Sequence, residues 1–257
     1  MNKGFSLVEL SIVLVILGLL TGGILAGQSL IRAAELRAVS SEHSRYITAA
    51  QTFRDKYFAL PGDFNRAEDF WDPMTNCDAA SPSGSGTETC NGDGNGDIDL
   101  AGALSQTGEI FGFWQHLANA GLIEGTYDGI AGSGGTNDAE LGDNAPRSKL
   151  TNAGWSVRNV ANGTVVFYEY DYENALIFGE DSTNGDTTSA ALTPEEAWNI
   201  DTKMDDGQPA YGRVLAVNWD DECSAADDGG SADDDYEASY VLTDTSAQCA
   251  LIFKKAF

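Results

Sequence analysis

Lys3-Gly4-Phe5-Ser6-Leu7-Val8-Glu9-Leu10-Ser11-Ile12-Val13-Leu14-Val15-Ile16-Leu17-Gly18-Leu19-Leu20-Thr21-Gly22-Gly23-Ile24-Leu25 decides the architecture of the chain. From Phe5 to Leu25 this stretch holds 21 residues and a single charge, Glu9. At about 1.5 Å rise per residue, a helix of that length crosses a hydrocarbon core of about 30 Å. In an ordinary secretory signal a shorter apolar core precedes the small-residue cleavage site. Here Lys3 and Gly4 both precede the run, so the helix stays with the mature protein. A carboxylate deep in a membrane helix costs about 2.5 to 3.5 kcal/mol, and less near the interface, so Glu9 requires a partner or a purpose.

Past Gly27 the pattern becomes amphipathic. Leu36, Val39, Tyr46, Ala50, Phe53 and Tyr57 recur at helical spacing, with Arg32, Glu35, Arg37, Glu42, Arg45 and Arg54 between them. One continuous helix from Phe5 to about Tyr57 is expected, roughly 80 Å long, half in a membrane and half against a soluble domain. Pro61-Gly62 stops it. Gly18, Gly22 and Gly23 are poor helix formers in water but common in membrane helices, where they permit close packing; local loss of helical hydrogen bonds on assembly is the alternative.

Gly4 followed by Phe5-Ser6-Leu7-Val8-Glu9-Leu10 resembles the class III signal of type IV pilins and type II secretion pseudopilins. The resemblance implies that a prepilin peptidase cuts after Gly4, that Phe5 becomes a methylated N-terminus, and that Glu9 guides assembly by meeting a neighbour's N-terminal amine. It also implies an inner-membrane assembly platform, polymerisation with copies of itself and with other pilin-like subunits, and residence in the bacterial inner membrane before an extracellular filament or periplasmic pseudopilus forms. An ordinary single-span anchor with a chance glutamate is the competing explanation.

Charge divides the chain in the same place. Residues 1–66 carry seven basic and five acidic side chains, whereas residues 67–257 carry seven basic and 35 acidic ones. A head so acidic repels nucleic acid and attracts multivalent cations.

The segment from Leu60 to Phe257 is long enough for one domain with a sizeable core. Trp155–Val160, the turn Asn162-Gly163 and Thr164–Tyr170 predict a hairpin, and Ala175–Phe178 a further strand. Thr193 reads as the N-cap of a helix opened by Pro194-Glu195-Glu196, ended by Asp206-Gly207. Arg213–Trp219, Ser239–Leu242 and Ala250–Phe253 read as late strands. The expected fold is α+β, a long N-terminal helix packed on an antiparallel sheet, which is also the pilin architecture. Its parts are a leader (1–4), a helix (5–58, with 5–25 spanning the membrane or filament core and 26–58 as stalk) and an acidic head (59–257).

Four cysteines in an exported head are expected to be oxidised. Proximity favours Cys77 with Cys90 and Cys223 with Cys249, though crossed pairings remain open. A Cys223–Cys249 bridge resembles the disulfide-bounded C-terminal region of many pilins. A metal–thiolate site lacks the C-x-x-C spacing it needs.

Asn91-Gly92-Asp93-Gly94-Asn95-Gly96-Asp97-Ile98-Asp99 matches the front of an EF-hand calcium loop, with oxygen side chains at alternate positions and glycine at the sixth. The twelfth position, where a bidentate acid belongs, is Gly102. The expected Ca2+ ligands are Asn91, Asp93, Asn95 and Asp99 by side chain and Asp97 by its carbonyl. Glu109, at the start of a helix through Ala120, closes the set if the residues between loop out. A solvated turn is the alternative. A second acidic run, Asp220–Asp235, lacks regular spacing and reads as a solvated loop. Asp201, Asp205 and Asp206 gather at a helix end where acids oppose the dipole.

No enzymatic motif appears. The two histidines, His43 on the stalk and His116 in Phe113-Trp114-Gln115-His116-Leu117, sit among apolar residues, where packing is their expected role. The sequence therefore predicts no enzyme but a structural subunit of a type IV pilus-like filament. A type II secretion pseudopilin or minor pilin is one alternative, and a membrane-anchored calcium-dependent binding module that never polymerises is another.

Overall fold

A computed structural model describes residues 7–77, 81–84, 86–100, 106–160, 168, 171–182, 185–217, 222–225 and 238–257. Helix α1 (Leu7–Tyr57) runs unbroken for 51 residues, about 75 Å. It passes through Gly18, Gly22 and Gly23, and a side chain added at any of the three would meet nothing within 4 Å. The sequence explains the two halves of α1. Ala38, Val39, Glu42, Tyr46, Ala49, Ala50 and Phe53 recur every three or four residues and are buried by the head, whereas every large apolar side chain from Leu7 to Ile31 is exposed.

The chain leaves α1 through Phe58, forced to φ 57°, and turns at Gly62. Gly62 adopts φ +86°, and a Cβ there would lie 2.4 Å from the Glu109 carbonyl oxygen, so glycine is required on both counts. Helices α2 (Glu68–Trp71) and α3 (Glu109–Asn119) follow. Then come β1 (Ala153–Val160), β2 (Glu173–Glu180), α4 (Pro194–Met204), β3 (Val214–Val217), β4 (Ser224–Ala225), β5 (Ser239–Tyr240) and β6 (Ala250–Phe253). The main sheet has the order β1-β2-β6-β3 with every pairing antiparallel, and β4 and β5 form a separate pair.

Both faces of the sheet are covered. Trp155, Val157, Leu176, Phe178, Leu251 and Phe253 pack in the cluster that includes Val39, Tyr46 and Phe53 of α1. The alternate residues Ala175, Ile177, Leu215, Ala250 and Ile252 pack with Tyr168 and Tyr172 on the other side. Among the described residues, the first strand pairs with the third expected strand segment. The partner of β1 is β2, in register from Ala153↔Glu180 to Val160↔Glu173. The Asn162-Gly163 turn and the expected strand Thr164–Tyr170 lie outside the described residues, apart from Tyr168, which is buried. Strand β2 suits an interior position because Ala175 and Ile177 serve one face and Leu176 and Phe178 the other.

Disulfides join Cys77 to Cys90 and Cys223 to Cys249. Helix α4 begins as its sequence predicts. Thr193 and Glu196 form a reciprocal capping box, with Pro194 in the first turn.

Candidate functional site

Two regions carry chemistry. The first is the N-terminal half of α1. Glu9 lies in its first turn, on an exposed surface, at the head of a run in which Leu7, Leu19, Leu25, Leu30 and Ile31 are all more than 60% exposed. Gly4 and Phe5 lie outside the described residues. This is the one described helix long and apolar enough to cross a membrane. At about 25 cal/mol per Å², leaving its apolar side chains in water is untenable, so lipid or other helices must cover them.

Where the apolar half meets the head, Arg32 grips Glu196. Nε and Nη2 each approach a carboxylate oxygen at 2.6 Å, and Nη2 also reaches the Ala191 carbonyl oxygen at 3.4 Å. The Arg32 guanidinium thereby holds the Glu196 carboxyl below its usual range against the opposing effect of burial. Glu196 thus ties the cap of α4 to the stalk just past the last exposed apolar residues.

The second region is the Asn91–Asp99 loop, which folds around an aspartate absent from the sequence-derived ligand set. Asp63, buried just after the Pro61-Gly62 turn, accepts N–H bonds from Gly94 (2.5 Å) and Gly96 (2.9 Å). Glu109, the first residue of α3, accepts from the backbone of Asp93 (2.9 Å) and Asp99 (3.0 Å). One carboxylate oxygen from each of Asp63, Asp93 and Glu109 lies within 4.8 Å of the others. Burial raises the Asp63 carboxyl and pushes Glu109 up to about 7, with the neighbouring carboxylates adding to both shifts. Three acids converging from distant segments form an all-oxygen set suited to a hard divalent cation, which would relieve their repulsion.

The remaining sequence-derived ligands are placed around this set. Asn91 Oδ1 accepts from the Glu68 backbone N–H at 3.0 Å. Asn95 donates to Asp93 (3.0 Å) and to Asp99 (3.3 Å), and its Oδ1 accepts from the Asp97 N–H at 2.7 Å. Asp97 Oδ1 accepts from Asn159 at 2.9 Å. The loop is docked on the sheet by Ile98, fully buried, whose N–H donates to Asn174 Oδ1 at 2.8 Å. No spacing pattern announces Asp63, because 28 or more residues separate it from the loop and only folding brings them together.

Asp201, Asp205 and Asp206 form a second group of carboxylates. Asp201 is pushed up to about 7 by burial, although Tyr240 and the Gly207 N–H both donate to it. The Asp205 carboxylate caps the Arg213 and Val214 N–H groups at the start of β3.

Both histidines pack among aromatic rings. His43 packs on Phe253 with ring centroids 4.5 Å apart, and His116, fully buried, stacks near Trp71 at 5.4 Å. Burial lowers His116 to about 3, so it is neutral. Its Nδ1 accepts from the Gly62 N–H at 2.9 Å, so the proton sits on Nε2, 3.0 Å from Thr89 Oγ1. Its role is to hold the turn that delivers Asp63.

Residues 1–25 match the family described as the prokaryotic N-terminal methylation motif. No curated protein and no solved structure matches the chain. Together with the long apolar helix, the motif is consistent with a type IV pilin-like signal and supports a pilin-like or pseudopilin precursor.

Proposed function

We propose that this chain is a structural subunit of a type IV pilus-like filament. A prepilin peptidase removes residues 1–4, Phe5 becomes the methylated N-terminus, and the exposed half of α1 passes from the inner membrane into a bundle of the same helices. Glu9 pairs there with a neighbour's N-terminal amine, which offsets the cost of burying a carboxylate. The acidic heads face outward. The observation that carries this reading is a methylation motif running directly into a helix whose apolar surface, from Leu7 to Ile31, its own head leaves bare. Replacing Glu9 by Ala tests it: filaments are lost while the chain remains anchored in the membrane. Normal filaments from Glu9→Ala would refute the role given to Glu9.

We further propose that the set of Asp63, Asp93 and Glu109 takes calcium, with the loop amides and Asp99 completing its surroundings. An all-oxygen donor set with one carboxylate from each of three segments favours a large hard cation over a transition metal. Calorimetric titration with calcium chloride is expected to show one site, lost in Asp63→Asn. Absence of binding at millimolar calcium removes the proposal.

A further inference from the structure

We propose that Asn95 is a latent deamidation site and that Asp63 keeps it unmodified by holding the backbone nitrogen that would attack it. The inference stands apart from the filament and calcium readings, since it needs neither a second copy of the chain nor an ion.

The hazard lies in the residues of the loop. In an Asn-Gly or Asp-Gly step the glycine nitrogen, unhindered by a side chain, attacks the carbonyl carbon of the side chain before it and closes a succinimide ring. Ammonia leaves when that side chain is Asn, and water leaves when it is Asp. Water then opens the ring at either carbonyl, giving aspartate or an isoaspartate whose backbone is longer by one methylene. Asp93-Gly94 and Asn95-Gly96 place two such steps in succession, and all four residues are exposed to solvent. Neither glycine is replaceable without strain. Gly94 has φ +78°, and a Cβ there would lie 2.7 Å from Asn65 Nδ2, while Gly96 has φ +101°.

Asp63 holds both attacking nitrogens. One carboxylate oxygen accepts from the Gly94 N–H at 2.5 Å and the other from the Gly96 N–H at 2.9 Å. Ring closure requires each nitrogen to give up its proton and to swing toward the preceding side chain. A carboxylate acceptor opposes the first by setting negative charge beside the nitrogen, and its fixed position opposes the second. Asp63 is buried and reaches the loop from the Gly62 turn, so the restraint comes from outside the loop. The side chains under attack are tied as well. Asp93 accepts from the Asn95 backbone N–H at 2.9 Å, and Asn95 Nδ2 donates to Asp93 at 3.0 Å and to Asp99 at 3.3 Å. Asn95 Oδ1 accepts from the Asp97 N–H at 2.7 Å.

Deamidation at Asn95 would undo this arrangement. Its amide is the donor that bridges two carboxylates, and a carboxylate in its place donates nothing and adds negative charge between Asp93 and Asp99. The nearby Asn91-Gly92 step supplies an internal reference. There the Gly92 N–H donates to the Phe64 carbonyl at 3.1 Å and Asn91 Oδ1 accepts from the Glu68 N–H at 3.0 Å, so neither group depends on the Asp63 carboxylate.

The test ages the full-length chain in detergent at mildly alkaline pH, in isotopically labelled water and with EDTA present so that no divalent cation contributes. Peptide mapping then counts the acids that replace Asn95 and Asn91, the label marking conversions that occur during ageing. The same chain, reduced and unfolded in urea, gives the unrestrained rate. Asn95 is expected to convert at least about tenfold more slowly in the folded chain, and Asp63→Ala to quicken it at least about tenfold while Asn91 is unchanged. Asp63→Asn keeps the side-chain volume but only one acceptor oxygen and no charge, and it decides the matter if Asp63→Ala unfolds, as equal quickening at Asn91 would reveal. Conversion of Asn95 as fast in the folded as in the unfolded chain overturns the proposal. So does the lack of selective quickening at Asn95 in both variants.

Discussion

Glu42 of α1 accepts a hydrogen bond from the indole Nε1 of Trp155 in β1 at 2.9 Å, joining the stalk helix to the first strand of the sheet. The same carboxylate takes the Ser148 hydroxyl at 2.7 Å and the Lys149 N–H at 3.0 Å. A buried acid on an otherwise apolar helix face is thus satisfied by three donors from one stretch of the head. Both Trp155 and the neighbouring Tyr46 are almost fully buried, and their rings meet at 5.7 Å.

Replacing Glu42 by Ala strands those donors. Leaving a buried polar group unsatisfied costs about 1 to 3 kcal/mol, so a total loss of about 3 kcal/mol is expected, smaller in Glu42→Gln. Urea unfolding of the full chain in detergent, followed by tryptophan fluorescence, measures it. A loss below about 0.5 kcal/mol contradicts the anchoring role.

Glu196 serves both the cap of α4 and Arg32, so Glu196→Ala removes two functions at once. A lost cap costs about 1 kcal/mol. Amide hydrogen exchange is expected to quicken at Glu195 to Ala197 in this variant, whereas Arg32→Ala leaves the cap intact and loosens only the contact with the stalk. Identical exchange in the two variants would show that the capping box does not depend on Glu196.

Asp201 sets a pH dependence whose sign follows from its raised carboxyl. Between its ordinary value of 3.8 and about 7 the folded chain keeps a proton that the unfolded chain has released. The unfolded state binds fewer protons over that window, so this residue makes stability fall as pH rises from about 4 to 7 and level off above it. Asp201→Asn stays neutral throughout. Denaturation midpoints for the two proteins are expected to converge near pH 4 and to diverge by pH 7.5, with Asp201→Asn the more stable. A constant difference across the range contradicts the assignment.

The two disulfides close spans of 13 and 26 residues. Chain entropy assigns them about 3 and about 3.5 kcal/mol of stabilisation. Removing Cys77–Cys90 by paired substitution with Ser is also expected to loosen the adjoining Asn91–Asp99 loop, read as faster exchange at Gly94 and Gly96. Unchanged exchange there separates the loop from the bridge.

Much of the fold was legible where one physical pattern dominates. The membrane run and the 3.6-residue stripe of α1 are long, so periodicity located its end at Tyr57. Thr193-Pro194-Glu195-Glu196 carried a complete helix start in four residues. Strand pairing was harder, because β2 is buried on both faces and reads as a continuous apolar run instead of an alternation. The Asn162-Gly163 turn and the strand expected after it lie outside the described residues, and among the described residues β1 pairs with β2. In the candidate cation site, the loop and Glu109 were visible from residue type. Asp63 was not, because its position depends on the Gly62 turn and on His116 holding it.

Intact mass under non-reducing conditions, measured on sheared surface material and on membranes, tests the central claim most directly. The account predicts, in the sheared fraction, a chain lacking Met1 to Gly4, carrying one added methyl and short of four hydrogens for its two disulfides. The same processed mass confined to membranes would favour a pseudopilus or minor subunit. An uncut, unmethylated chain in every fraction would contradict the account.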